Sequence, residues 1–423
     1  MHLHSANLPG WVQPADVFVQ FFANETNAFW LDGEHSQTDR YSVLGAGKPA
    51  GITELSTLQF SDESDLPFAW RPGVVGFVTY EGEERFIDAT RAVVFDHERQ
   101  EMYFVGLFES KQDFDFWHHA ALLRLGLSGG QIASYLHSRI PPEPSSVSKL
   151  RHNAAEYLQM IAKAQAHIAA GDVYQVCLTN EIRVSTSTDP LSVFLKLRTS
   201  NPAPFAAFIR IGETCLVSSS PEQFLKISAE GHISTKPIKG TRPRGADAET
   251  DAEIAESLRS DPKERAENLM IVDLMRNDIG KVAQVGTVAV PELFAIESYA
   301  TVHQLVSTVT AELEASCSAW DAVISAFPGG SMTGAPKIRA MEIIRELEAG
   351  TRGAYSGCLG FLGADGSAEL AMTIRTIVFE GESATIGVGG GITIDSDPQA
   401  ELEETQLKAK ALLAALNATD PWA

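Results

Sequence analysis

The sequence predicts an α+β fold of mixed layers with long antiparallel strands. Apolar runs of strand length recur along the chain, as in V-V-G-F-V-T-Y at 74–80, A-V-V-F at 92–95 and M-Y-F-V-G-L-F at 102–108. Segments of helical spacing lie between such runs. The two kinds do not alternate strictly, as a parallel βαβ sheet would require. At 423 residues the chain is long for one core, so two domains or one large two-layer body is expected.

Residues 1–138 read as an N-terminal α+β unit, with H-H-A-A-L-L-R-L at 118–125 as a helix after the strand-like runs. R-I-P-P-E-P-S-S-V-S-K at 139–149 is rich in proline and serine and has no apolar period, which predicts a linker over 139–150. The region 151–416 opens with A-A-E-Y-L-Q-M-I-A-K-A-Q-A-H-I-A-A at 154–170, a helix ending at Gly171. Y-Q-V-C-L-T, F-A-A-F-I-R-I and C-L-V-S-S-S predict strands. At 261–280 Asp261 caps a helix, Pro262 takes its first position and Gly280 closes it. E-L-A-M-T-I-R-T-I-V-F reads as one apolar strand interrupted by Arg375, and A-T-I-G-V-G-G-G-I-T as a strand that ends in a glycine turn. The last helix, 397–416, is opened by Asp397 and Pro398, and 417–423 is a tail.

Composition narrows the function classes. Hydrophobic content of 44% and charged content of 21% are ordinary for a globular protein. A net charge of −22 argues against binding nucleic acid or an anionic membrane surface. It leaves room for a small anionic substrate held by a metal ion and a few local cations. No basic region followed by an apolar run opens the chain, and no stretch approaches ~18 apolar residues, so neither a signal peptide nor a membrane span is expected. The cytoplasm is the default. The cysteines at 177, 215, 317 and 358 are far apart and form no zinc or disulfide framework. Y-S-G-C-L-G-F around Cys358 has the outline of a glutaminase nucleophile turn, but the residues after it do not continue that motif, and Cys358 reads as a buried strand residue.

Glu264 and Glu267 share one face of the 261–280 helix, and Glu401, Glu404 and Lys408 share one face of the 397–416 helix. Each set alone suits a solvated helix face, because acids favour helix N-termini. If the two converge, their carboxylates suit a partly hydrated Mg²⁺. G-V-G-G-G at 387–391 would let backbone N–H groups approach an anion, or form a bulge. In F-P-G-G-S-M-T-G-A-P-K, Thr333 either faces a ligand or caps a helix starting at Ala335-Pro336. His303 lies in a run of alternating polar and apolar positions, where a histidine is often structural. Arg375 in an apolar strand needs an anionic partner, while Tyr355 is less informative. Lys239, in T-K-P-I-K-G-T-R-P-R-G at 235–245, is either a snorkelling surface side chain or an amine placed to react.

Taken in order, G-D-V-Y-Q-V, S-S-S-P-E-Q-F, P-I-K-G-T-R-P-R-G, E-N-L-M-I-V-D-L-M-R-N-D, V-H-Q-L-V-S-T-V, F-P-G-G-S-M-T-G-A-P-K, G-V-G-G-G-I-T and E-L-E-E-T-Q-L-K resemble the chorismate-utilising enzymes related to the anthranilate synthase large subunit. The resemblance covers about 151–416, and F-W-L-D-G and G-F-V-T-Y-E extend it weakly into the N-terminal region. It implies a two-layered body of large antiparallel sheets with surrounding helices. It implies that Glu267 and Glu404 bind Mg²⁺ directly, with Glu264 and Glu401 behind them through water. The metal would hold the ring carboxylate of chorismate, helped by the Gly389, Gly390 and Gly391 backbone and Lys408. Arg375 and Tyr355 would bind the enolpyruvyl carboxylate, Glu222 would be the general acid–base, His303 would sit by the C4 hydroxyl, and Thr333 would line the ring pocket.

Branch-specific positions refine the expectation. Members that add water to the ring resemble a pattern with lysine where this chain has Gln175, so water addition is disfavoured. Members that aminate C2 resemble P-I-A-G-T, whereas the branch that aminates C4, towards para-aminobenzoate and folate, typically carries P-I-K-G-T. The implied chemistry is attack of Lys239 on C2, loss of the C4 hydroxyl, and addition of ammonia at C4. That requires a neutral amine, its pKa lowered by burial or by charged neighbours such as Lys236 and Arg242. No glutaminase signature is present, so a separate glutaminase subunit is the expected source of ammonia. The rivals are C2 amination with pyruvate loss, as in anthranilate synthases, amination to a 2-amino isochorismate derivative, and a catalytically silent paralogue that binds chorismate or tryptophan. The resemblance also leaves open a tryptophan bound in the N-terminal region.

Overall fold

The computed structural model describes residues 1–35, 40–58, 60, 65–127, 129–138, 146–299 and 302–423. Its frame is two antiparallel sheets, one of twelve strands and one of ten. The larger sheet runs from His2–Leu8 through Glu101–Phe108, Arg91–Asp96, Tyr41–Ala46, Asn27–Asp32, Phe205–Ile211, Thr214–Ser220, Thr376–Glu380, Ser383–Ile392 and Gln175–Ser185 to Gly334–Ala335. The smaller runs from Ile238–Pro243 through Val302–Glu312, His232–Thr235, Gln223–Ile227, Ala368–Met372, Cys358–Gly363, Gly73–Val78 and Glu84–Ala89 to Pro49–Ala50.

Alternation along the strands explains the layering. In Phe205–Ile211, Ala207 and Ile209 turn inward to a core shared with Val75, Phe77, Leu359 and Phe361 of the other sheet. Ala206 and Phe208 turn outward to a second core. The helices Pro14–Phe22, Pro190–Ser200 and Pro398–Ala415 cover that outer face. The helices Pro262–Ile279 and Ala319–Ala326 cover the smaller sheet's outer face, where Ile271, Val272 and Val323 meet Phe224, Leu370 and Cys358. Apolar surface is thus buried on both faces of each sheet, which is why these strands read as nearly continuous apolar runs.

Both capped helices form as expected: Asp261 accepts from Lys263 N and Glu264 N, and Asp397 accepts from Ala400 N. The helix at 154–169 also forms, capped by Asn153. Cys358 is a fully buried strand residue, and burial raises its thiol pKa. No described helix is long and apolar enough to cross a membrane.

Other expectations are corrected. Residues 1–138 do not stand apart, because Asn27–Asp32 pairs with Phe205–Ile211 and Gly73–Val78 pairs with Cys358–Gly363. Of the expected linker, 139–145 lie outside the described residues, and Val147–Leu150 is a strand paired with Gln175–Ser185. The tail is packed, with Ala418 bridged to Ser146 and Trp422 against the apolar cores. The run 369–379 is two strands in different sheets, Ala368–Met372 and Thr376–Glu380, joined by a crossover at 373–375. The helix expected from Ala335-Pro336 starts at Lys337, because Gly334–Ala335 is consumed as a short edge strand.

One buried ion pair ties the halves together. Arg198 Nε lies 2.8 Å from Asp32 Oδ2, with only 1% of the Asp32 side chain exposed. Burial alone would raise the Asp32 carboxyl, but the Arg198 charge and its hydrogen bonds outweigh burial and hold the pKa below the usual value. The stabilisation is therefore present above the ordinary carboxylate pKa and lost as pH falls through the lowered one. Asp32→Asn should cost about 3 kcal/mol at pH 7, by leaving Arg198 with only the partly exposed Glu34 as a carboxylate partner. Urea melts from pH 7 to pH 3 should show a shallower loss of stability in the variant; parallel curves would refute the linkage.

Candidate functional site

Lys239 lies on the edge strand Ile238–Pro243 and points inward, with 13% of its side chain exposed. Its Nζ is 4.0 Å from Glu267 Oε2. A Cβ built on Gly391 would lie 3.0 Å from that nitrogen. The next residue, Gly240, has φ +84°, and a Cβ there would meet the Glu264 carboxylate at 2.9 Å. Glycine is required at 240 on both grounds. The snorkelling reading of Lys239 is excluded by this placement.

The two acid-bearing helices present their N-terminal turns to the same space. Glu267 and Glu401 are buried, Glu264 is half-buried and Glu404 is exposed. Lys263 Nζ stands between the helices, 3.4 Å from Glu401 Oε1 and 3.9 Å from Glu267 Oε1. Glu404 pairs with Lys408 at 2.7 Å, and Lys408 also donates to the Gly389 carbonyl at 2.8 Å. Glu264 pairs with Arg242 at 3.4 Å. Each expected carboxylate thus meets a side-chain cation. Among the described residues, no three His, Cys, Asp or Glu side chains are gathered as a ready metal cluster. Glu267 and Glu401, both buried, face the same Lys263 ammonium, and carboxylate oxygens so gathered suit a hard cation.

The glycine run is not a turn. Gly387 to Gly391 lie within the strand Ser383–Ile392, paired with Gln175–Ser185. The absent side chains make room for neighbours: a Cβ at Gly387 would strike the Tyr355 ring at 2.1 Å, and one at Gly390 would meet Glu401 Oε2 at 3.1 Å. Gln175, on the paired strand, is buried, and among the described residues its Oε1 has no hydrogen-bond partner. Thr333 is fully buried; its hydroxyl donates to the Gly329 and Gly330 carbonyls, and it does not cap the following helix.

Arg375 does not interrupt a strand. It lies in the crossover between the sheets at φ +50°, a left-handed conformation uncommon for a non-glycine residue. Among the described residues its guanidinium has no ion pair. Burial lowers its pKa, only partly offset by Tyr355 and Glu404. The side chain is half-buried, and a cation withdrawn from water without an anion is costly unless something supplies one.

Glu222 is buried between Thr214–Ser220 and Gln223–Ile227, and its Oε1 accepts from Ser331 Oγ at 2.5 Å. Burial raises its pKa despite the Ser331 bond and the Lys239 charge, which favours a protonated carboxyl. Lys239 departs from expectation. Burial alone would lower it, but Glu267, Cys177, Glu222 and Glu404 outweigh burial and raise its pKa. The expected cationic neighbours are engaged elsewhere, Lys236 with Glu297 at 2.9 Å and Arg242 with Asp261 at 3.2 Å. His303 is buried on Val302–Glu312, with Nδ1 2.8 Å from Ser298 Oγ and Nε2 2.8 Å from Asp251 Oδ1. The structure brings Lys239, Glu267, Glu401 and Gly391 together, and gives His303 no bond to any of them.

Several contributors were not visible in sequence. Arg352 and Glu348 form a buried pair at 2.6 Å beneath the site. Arg352 also donates to the Cys177 and Met332 carbonyls, at 2.8 and 2.7 Å, and Glu348 accepts from Thr179 N at 2.8 Å. Cys177, read as a packing residue, is buried beside the site, and burial raises its thiol pKa. Ser331, within the quoted G-G-S-M-T-G stretch, had a signal; Lys263 had none beyond its place before Glu264.

Arg352, which is buried, and Arg375, which is half-buried, should respond oppositely to removal. Arg352→Met leaves Glu348 charged and buried, at a cost of about 3–5 kcal/mol. Arg375→Met removes a half-buried charge that has no ion pair among the described residues, and should leave the ligand-free protein at least as stable as wild type. Urea denaturation of both variants checks this; equal losses would mean that Arg375 has an internal partner.

The family model described as chorismate binding enzyme matches residues 39–414. The aminodeoxychorismate synthase of Streptomyces pristinaespiralis is 39% identical, over 96% of this chain and 64% of its own. The chain therefore spans less than two thirds of that relative's length. Aminodeoxychorismate synthase component 1 of Salmonella typhimurium is 38% identical, over 85% of this chain and 80% of its own. The crystal structure of anthranilate synthase component I from Streptococcus pneumoniae superposes with a TM-score of 0.74 at 26% identity, covering 97% of this chain and 92% of that one. With a match from residue 39 to residue 414, this chain belongs to the chorismate binding enzyme family.

Proposed function

We propose that the chain aminates chorismate at C4 to give 4-amino-4-deoxychorismate, using ammonia and a transient bond between Lys239 and ring C2. The observation that carries this reading is the inward Lys239 amine, beside Glu267 and the open position at Gly391. Arg375, short of an anion, supports a role in holding the enolpyruvyl carboxylate, with Tyr355 beside it. Lys408 and the Gly389–Gly391 backbone would complete the clamp on the ring carboxylate, and Thr333 would line the ring pocket. Glu267, Glu404, Glu264 and Glu401 are the residues that would hold Mg²⁺. Bound there, Mg²⁺ would fix the ring carboxylate and offset the negative charge that keeps Lys239 protonated.

In the proposed sequence, the neutral Lys239 amine attacks C2, the ring double bonds shift, and the C4–O bond breaks. Glu222, its carboxyl pKa raised by burial, would give a proton to the departing hydroxide, which leaves as water. Ammonia then adds at C4, the double bonds shift back, and the C2–N bond breaks to return the Lys239 amine. The new ammonium gives one proton to Glu222, which restores the starting state. Assistance by His303 at the C4 hydroxyl requires its ring to exchange Asp251 for the substrate. Gln175, in place of a lysine that would activate water, supports amination over hydration.

Ammonia is proposed to come from a separate glutaminase subunit, as the name "component 1" of the Salmonella relative supports. Free ammonia should also work, less well. Removal of pyruvate to give para-aminobenzoate, for folate synthesis, would fall to a separate lyase.

Purified protein with chorismate, Mg²⁺ and ammonium should form 4-amino-4-deoxychorismate, identified by mass and chromatography, and EDTA should stop it. Anthranilate as the product would transfer the chain to the C2-aminating reading. Lys239→Ala should lower C4 amination with free ammonia by more than about a thousandfold while the protein stays folded. Wild-type C4 amination by that variant would refute the covalent role.

A further inference from the structure

Lys263 is at an unfavourable position for a cation. It is the second residue of the helix Pro262–Ile279, in the first turn, where the helix dipole favours acids. Its ammonium nevertheless turns across to the facing helix and meets both buried carboxylates, at 3.4 Å from Glu401 Oε1 and 3.9 Å from Glu267 Oε1. These contacts are longer than that of Lys408 with Glu404 at 2.7 Å. The side chain is 46% exposed, so its stem can swing into solvent. Glu401 keeps a second donor when it does, since Ser396 Oγ donates to the same Oε1 at 2.8 Å. Lys408 is already bound to Glu404 and the Gly389 carbonyl, and Lys239 reaches only Glu267. Lys263 is therefore the described ammonium that touches both buried carboxylates.

We propose that Lys263 is the internal counter-cation of this acidic site. It neutralises Glu267 and Glu401 in the metal-free protein and is displaced when a divalent ion binds, so that metal binding is an exchange of cations. The inference rests on the proposed Mg²⁺ site. It explains how carboxylates that repel one another are kept buried and facing without metal, and it makes Lys263 a competitor that weakens Mg²⁺ affinity.

The test is calorimetric titration of Mg²⁺ into wild type, Lys263→Met and Lys263→Arg, with melting curves in EDTA. Lys226→Met serves as a control, because Lys226 pairs with Glu369 on the smaller sheet. Lys263→Met should bind Mg²⁺ about tenfold more tightly than wild type. It should melt lower than wild type in EDTA, with saturating Mg²⁺ closing the gap. Lys263→Arg should stay near wild type in both measurements. Equal affinities for wild type and Lys263→Met, weaker binding by Lys263→Met, or equal tightening in Lys226→Met would each overturn the exchange. Absence of Mg²⁺ binding in wild type and Lys263→Met alike would overturn the metal site itself and the exchange with it. C4 amination is tested separately by the product assay.

Discussion

Beneath the site, the Arg352 guanidinium and the Glu348 carboxylate are buried together, and each makes the burial of the other tolerable. The pair reaches well beyond its own two residues. Through Cys177 and Thr179 it holds the strand Gln175–Ser185; through Met332 it holds the turn that carries Ser331 and Thr333; through Ser356 at 3.3 Å it holds the residue after Tyr355. The Arg352 guanidinium also lies 4.5 Å from the Tyr80 ring centroid, which brings the N-terminal region into the same node. The strand that carries the glycine run pairs with Gln175–Ser185 and takes its register from it. One fully satisfied buried ion pair therefore sets the floor on which the other groups are arranged.

Above that floor the site is a contest between carboxylates and ammoniums. The whole chain carries a net charge of −22, yet Lys239, Lys263, Lys408 and Arg375 are concentrated around one space. Three of these cations have carboxylates to hold, and Arg375 has no ion pair among the described residues. An anionic ligand would meet local positive charge inside a negative protein, and would give Arg375 an anion. The raised pKa of Lys239 has the same origin: carboxylates placed to attract a cation also stabilise a protonated amine. A nucleophilic role for that amine therefore depends on what else enters the site.

Much of this was legible along the chain. The caps at Asp261 and Asp397 are local chemistry, because a carboxylate, a proline and the first free N–H groups suffice to start a helix. The i, i+3 spacing of Glu264 with Glu267, and of Glu401 with Glu404, places each pair on one face without any tertiary information. The misreadings share one cause. The run 369–379 is continuously apolar because both of its strands are buried, so nothing local marks the point at which the chain leaves one sheet for the other. The glycines at 387–391 looked like a turn, whereas they are strand positions emptied for Tyr355, Glu401 and Lys239, which are remote in sequence.

The sequence by itself determined the capped helices, the strand-like runs, the acidic faces and the set of motifs that marks the chorismate-binding family. Those depend on neighbours within a few residues, or on the order of motifs. Only the tertiary structure decided that the N-terminal and C-terminal regions share both sheets, that Lys239 points inward with a raised pKa, that Arg375 lacks an anion, and that Arg352 with Glu348 underlies the site. Each of these depends on charges and surfaces brought together from distant parts of the chain, and burial and Coulomb energy are properties of that assembly.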